Sequence, residues 1–426
     1  MNSSYIKKSN IKTGKELSFT DIPYIVCRFS CIVLIVYYCW YVEAFGNFSL
    51  VVNGSFLLMS GCIFLIHLVD SEIRFNEIPY GIWNKAVVIV YCLIPGLLIA
   101  SNRLTLLDAV KHFIIFFVIT YAFVLVSNHY DSINWLFISI IVSVMICCIH
   151  LMFFGYHYSA NRIVLSSNSN PNILVTILDL GLFCILYRVK INFKSLLSAV
   201  PLIVILTYNI IMTGSRKGFL AALMIYVFWG LAMLIQIHKN GNQQQIAFIW
   251  VLLVFVAILF IFIFFRYVVN TELMSRMKTM GNEKSNSARI EMYKEAFKIF
   301  LNKPLLGAGL DQYQFWSALG GYSHSTYAEA IADFGFVGCI LYFAPFFYTM
   351  YLLVRLISNG YEFFRSLFLL GLCFVELFLG IGQIWFYEAG HIFTWALIFI
   401  CTQKLCVSQN ENYKHSAGKV CKYVKL

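Results

Sequence analysis

Apolar residues fall along this chain in blocks of roughly 17 to 22, each long enough to cross a hydrocarbon core about 30 Å thick as a helix. The blocks lack the period-2 alternation of barrel strands, which leaves α-helices as the only backbone able to satisfy its own hydrogen bonds in lipid. Twelve spans are predicted, at 24–42, 48–69, 85–101, 111–127, 135–154, 172–188, 196–212, 219–237, 246–265, 335–354, 366–384 and 390–405. The pattern breaks only once at length, between spans nine and ten, where residues 266–334 mix polar and apolar positions. The expected fold is therefore an all-α integral membrane protein: a bundle over 1–265, one long loop over 266–334, three further spans over 335–405 and a tail over 406–426.

Inside the loop the period changes to that of a surface helix. Over 288–302, Ile290, Tyr293, Phe297 and Phe300 fall on one side and Glu291, Lys294, Glu295 and Lys298 on another, which predicts an amphipathic helix near the membrane surface. Ser287 is placed to cap it, and Pro304, Gly307 and Gly309 end it. A second helix is expected from Ser325 into the next span, with Tyr327, Ala330, Ile331 and Phe334 facing inward.

Composition agrees with the pattern: 60% of the 426 residues are hydrophobic, only 12% are charged, and the mean hydropathy is +0.78. The net charge of +11 forms no basic stripe interleaved with aromatics, so it signals topology rather than nucleic acid. With the N-terminus inside, seventeen Lys and Arg lie in the inner segments, Lys85 among them, against five in the short outer ones: Arg103, Lys111, Arg162, Arg216 and Lys217. The positive-inside rule then puts both termini in the cytoplasm and the long loop outside. Lys7, Lys8, Lys12 and Lys15 precede an apolar block without a small-residue cleavage site, which reads as an uncleaved first span. None of the 13 cysteines falls in the loop, so no disulfide framework or C-x-x-C metal site is expected there.

Candidate chemistry concentrates on the outer segments. Arg216, in T-G-S-R-K-G, is either a snorkelling interfacial cation or part of a phosphate site, since a Gly-rich turn opening a helix offers free N–H groups beside a cation. Arg289 sits in the first turn of the amphipathic helix, where the dipole slightly disfavours a cation unless an anion binds. His324, in Y-S-H-S-T-Y, is either structural or a neutral, base-competent ring at a helix start. Arg162 and the Asn-rich run after it face the same side, as plain polar loop or as part of a site. Asp179 and Glu376 fall in mid-span, where a carboxylate is either internally hydrogen-bonded or couples ions or protons in a transporter. His67, His150 and His391 near span ends read as structural, although His391 shares its face with Glu388. The only D-x-E triplet, Asp70 to Glu72, is assigned to the cytoplasm, so no metal is expected, and nucleotide-binding and Ser-hydrolase motifs are absent from the sequence.

The stretch R-I-E-M-Y-K-E-A-F-K-I-F-L-N-K-P-L-L-G-A-G-L-D-Q-Y, then H-S-T-Y-A-E-A-I-A-D-F-G-F-V-G, resembles the loop of the bacterial O-antigen ligase and O-antigen polymerase family. So do G-S-R-K-G and N-R-I-V-L-S-S-N-S-N-P-N upstream, while the first five spans match only in being hydrophobic. The resemblance implies glycan transfer from undecaprenyl pyrophosphate to an acceptor hydroxyl at the outer face of the cytoplasmic membrane, without a cofactor. By the same resemblance Arg216, Arg289 and His324 would be catalytic, and Arg162, Lys217, Asn172 and Tyr327 would bind substrate. Its implied partners are the lipid-linked donor and acceptor and membrane lipids, with a chain-length regulator and a flippase in the same pathway. Ser325 departs from the Asn that many members carry after the histidine. A polymerase is expected, with a ligase acting on lipid A core or a lipid-linked-sugar transporter as alternatives, and a membrane scaffold as the non-enzymatic one.

Overall fold

A computed structural model of the protein describes residues 18, 20–69, 78–159, 162–167, 169–190, 193–239, 273–274 and 284–423. Among them eleven helices are long and apolar enough to cross a membrane. In chain order these are α1 (Asp21–Phe45), α2 (Ser49–Val69), α3 (Tyr80–Ile99), α4 (Arg103–His129), α5 (Asn134–Phe154), α6 (Pro171–Arg188), α7 (Phe193–Met212) and α8 (Arg216–Lys239). After α9 (Lys284–Asn302) and the single turn α10 (Tyr313–Trp316) come α11 (Thr326–Ser358), α12 (Phe363–Gly380) and α13 (Ala389–Tyr423). The expected span at 246–265 and the Asp70 to Glu72 triplet lie outside the described residues.

Every expected span that is described is present, and the differences lie at the ends. The third helix starts at Tyr80, so Lys85 is not a loop cation: its Nζ lies inside the bundle, 3.5 Å from Thr120 Oγ1. The eleventh span stops at Gly380 instead of 384, and the last helix continues past 405 to Tyr423. One small sheet interrupts the helices, an antiparallel ribbon of β1 (Tyr156–Ser159) and β2 (Arg162–Val164), where the sequence suggests only polar loop.

Helices α1 to α8 alternate in direction, as do α11 to α13, which gives the bundle two ends. At one, His129 meets Asp21, Arg188 bonds to the Asn134 carbonyl and Lys404 to the Ser127 carbonyl. At the other, here the loop end, Glu43 accepts from Ser169 Oγ at 2.6 Å, Asn102 and Gln312 exchange two hydrogen bonds, and Gln383 reaches Asn172. A π-helical turn at Tyr37–Tyr41 precedes Glu43 in α1. Helices α6 and α13 are the most enclosed and form the centre, with Phe183, Phe393 and Leu397 fully buried.

From Lys284 on, the loop is built as part of this bundle. Its amphipathic helix begins at Lys284, one turn earlier than expected, so Ser287 lies within it rather than at its cap. Ala296 and Ile299 are the buried positions, while Ile290, Phe297 and Leu301 stay 52–61% exposed, leaving an outward apolar stripe. Beyond Asn302 the chain runs back along α11: Ala308 N–H donates to Ala332 O, Gly309 N–H to Asp333 O, and Phe336 N–H to Pro304 O. The Asp333 carboxylate then accepts from the N–H groups of Asp311 (2.7 Å) and Tyr313 (2.8 Å). Gly335 breaks the helical dihedrals of α11 at φ 62°, opposite Gly307 at φ 71°. A Cβ on either would overlap the backbone of the other strand, so this crossing admits only glycine. The G-A-G-L-D and A-D-F-G runs are thus two halves of one joint.

Candidate active site

Three segments bring the candidate residues to the loop end. The first is the α7–α8 turn. Arg162, 9% exposed, donates from Nε to Thr213 O at 2.9 Å and packs over Gly214, so β2 clamps this turn from the side. Ser215 Oγ donates to Asn172 Oδ1 at 2.9 Å, fixing the turn to the start of α6. Arg216 and Lys217 then open α8, both half-buried. The second segment is α9, on which Arg289 is half-buried and Tyr293, one turn on, faces the bundle.

The third is the bend 323–325. Ser323 and Ser325 are buried, Ser323 N–H donates to the Glu329 carboxylate at 2.9 Å, and Ser325 Oγ caps α11 by accepting from Ala328 N–H. Between them His324 is exposed and held at φ 58°, a left-handed conformation uncommon for a residue with a Cβ. Strain of this kind persists where surrounding bonds over-determine it, and it clusters at functional positions. Burial, then the charges of Arg289 and Lys217, hold the imidazole below its ordinary value of 6.5. The same electrostatics place these groups together, since Lys217 also lies within range of Arg216, Arg289 and Glu388.

One element that the sequence does not mark out joins the three segments, the turn between α12 and α13. Four successive carbonyls of this turn each accept from a different partner. Gly380 O takes Ser325 Oγ (3.4 Å), Ile381 O takes Tyr293 Oη (2.9 Å), Gly382 O takes Lys217 Nζ, and Gln383 O takes Thr326 N–H (2.8 Å). A Cβ on Gly382 would meet the end of the Lys217 side chain, which would have to shift.

Arg216, Lys217, Arg289 and His324 are therefore brought together. Arg162 and Asn172 stand behind them as braces of the α7–α8 turn. Tyr327 is turned away: its hydroxyl donates to Leu377 O at 2.6 Å and its ring stacks on Phe343, so it is wall rather than contact surface. Glu376 and His391, which the sequence suggests as a mid-span acid and a structural ring, bond to each other at 2.7 Å. Asp179 is buried beside Glu376, among the spans. The signal that could have drawn attention to the α12–α13 turn is G-I-G-Q, two glycines and an amide within an apolar run.

Taken together, the chain is an all-α multi-pass membrane protein with a cationic, imidazole-bearing site at one end of its bundle. Residues 201–343, from α7 into α11, match the family model described as O-antigen ligase. This bears out the resemblance to the O-antigen ligase and polymerase family over that stretch and implies glycosyl-transfer chemistry. No curated protein matches the chain. The α12–α13 turn lies beyond the matched residues.

Proposed function

We propose that the protein is a glycosyltransferase that polymerises undecaprenyl-pyrophosphate-linked repeat units into O-antigen or capsular polysaccharide at the outer face of the cytoplasmic membrane. The observation that carries the reading is the convergence of two arginines, a lysine and one strained, exposed imidazole from three separate segments. In the reaction an acceptor hydroxyl attacks the anomeric carbon of the donor, the C–O bond to the diphosphate breaks, and the hydroxyl proton is taken up. Arg216, Lys217 and Arg289 would neutralise charge developing on the leaving lipid diphosphate, and such preorganised cations are commonly the largest contribution to catalysis. His324, neutral at pH 7 because it is held below its ordinary value, would accept the proton and return it to solvent from its exposed position.

A ligase acting on lipid A core would use the same chemistry, and the description of the matching family model favours it as the second reading. Of the two mid-span acids that a transporter reading rests on, Glu376 is hydrogen-bonded to His391. The deciding experiment is glycan analysis of cells lacking the protein. Single-repeat chains are expected. Bare core with polymer stranded on its lipid carrier would mean ligase, and intermediates trapped in the cytoplasm would mean transporter. Purified protein given lipid-linked units should also extend them in excess EDTA.

A further inference from the structure

The α12–α13 turn holds the site by its carbonyls, and its Gln383 side chain shows how the turn itself is fixed. Gln383 is 5% exposed, and both ends of its amide are engaged: Nε2 donates to Asn172 O at 2.8 Å and Oε1 lies 3.2 Å from His391 Nε2. Because a backbone carbonyl can only accept, the NH2 must face Asn172, which leaves Oε1 to face His391. His391 Nε2 must then carry a proton and donate, while its Nδ1 faces Glu376 Oε2 at 2.7 Å and Glu388 stands 3.4 Å from Nε2. A fully buried imidazole against a carboxylate costs desolvation that an apolar pair would avoid, so geometry rather than stability is the gain to look for.

We propose that Gln383 is a positioning residue for His324, Lys217 and Arg289, oriented by the His391–Glu376 pair behind it. The chain of contacts is short in each direction. Its carbonyl holds both Thr326 N–H and Thr326 Oγ1–H, two residues after His324. The neighbouring carbonyls hold Lys217 and Tyr293, the latter one turn from Arg289. Its amide ties all of these to Asn172, which receives Ser215 beside Arg216. Loss of the amide would loosen the Gln383 carbonyl and with it the two Thr326 bonds that anchor the C-terminal side of the bend, leaving only the local bonds of Ser323, Ser325 and Glu329 to hold its left-handed conformation. The role rests on the proposed function for its catalytic consequence and on the hydrogen-bond geometry alone for its structural one.

The test uses Gln383→Met, which keeps the volume and removes both amide bonds, and Gln383→Glu, which keeps an acceptor for His391 but faces Asn172 O with no donor. In purified full-length protein, amide exchange of the 320–328 segment should rise about tenfold or more in Gln383→Met while segments at the opposite end are unchanged. With lipid-linked donor, kcat should fall about tenfold to hundredfold, the scale of a small misplacement of reacting groups, with KM within about threefold. In a His324→Ala background Gln383→Met should cost less than it does alone, because the share that acts through His324 is already gone while Lys217 and Arg289 can still be misplaced. Unchanged exchange in the bend, or a full multiplicative loss in the double variant, would overturn the proposal. If Gln383→Met fails to accumulate, Gln383→Glu takes its place, with the same measurements and the same outcomes deciding. Faster exchange combined with full activity in His324→Ala would uphold the positioning and remove instead the assignment of His324 as base.

Discussion

His324 is a residue held in a strained conformation by its neighbours without being fully enclosed. Two serines and a glutamate carboxylate hold the backbone on either side of it, so the residue keeps an accessible surface on a fixed bend while its imidazole is partly desolvated. If the ring is the base, His324→Ala at matched membrane abundance should lower turnover by roughly 10² to 10⁴ with donor binding kept. Near-normal polymer would exclude the role. The cations give a second check. Lys217 and Arg289 both hold the His324 pKa down, so removing one charge raises it towards 6.5. A base works in its neutral form, above its pKa; the acid limb of the rate profile should therefore move to higher pH in Lys217→Met. Glu388, pushed up to about 7 by burial, interacts with Lys217, so the comparison belongs in a Glu388→Gln background. An acid limb that stays in place would separate Lys217 from His324. For Arg216 and Arg289, Lys keeps the charge but loses the planar fork, and a bidentate diphosphate clamp should lose much of its activity in either Arg→Lys variant. Full activity in both would leave no clamp.

At the scale of elements, most spans are legible in the sequence because twenty apolar residues in lipid have one viable conformation. What cannot be read there is what long-range pairing decides. G-A-G-L-D-Q-Y and A-D-F-G look like two motifs of a site, yet Asp333 spends its carboxylate on two backbone N–H groups, and the glycines allow two chains to cross. Similarly, I-G-Q-I-W-F-Y-E reads as the end of an apolar span, since nothing local shows that the carbonyls of 380–383 will find donors from other segments. Tyr327 is expected to contact substrate through the family resemblance, but its hydroxyl is turned to the Leu377 carbonyl. The convergence of Arg216, Arg289 and His324 is legible only through the family resemblance, because 108 positions separate the first from the last. If Asp333 is architectural, Asp333→Asn removes one of two buried acceptors and should cost about 1–3 kcal/mol of stability. It should appear as lower Tm and abundance, with kcat per folded molecule nearly intact. A fall in kcat at unchanged Tm would give Asp333 a part in the chemistry instead.

For the whole molecule, the two ends of the bundle differ in what they gather: Arg188, Arg365 and Lys404 beside His129 at one, the candidate site at the other. The positive-inside rule assigns the first to the cytoplasm. A cysteine at Ala318, exposed on the loop, should then react with an impermeant maleimide in intact spheroplasts of a strain whose protein lacks native cysteines. Ser317 beside it is buried and would be a poor reporter. Labelling only after membrane disruption would reverse the orientation. The crossing of Gly307 with Gly335 has a further consequence for portability. A loop that donates its N–H groups to α11 and leans its helix on the α12–α13 turn is not a cassette. Transplanted alone into a relative, residues 284–325 would arrive without the mating surface that gives them shape. The smallest unit that recombination or an engineer could exchange includes 332–337 and 380–383, although residues 338–379 separate the last piece from the rest.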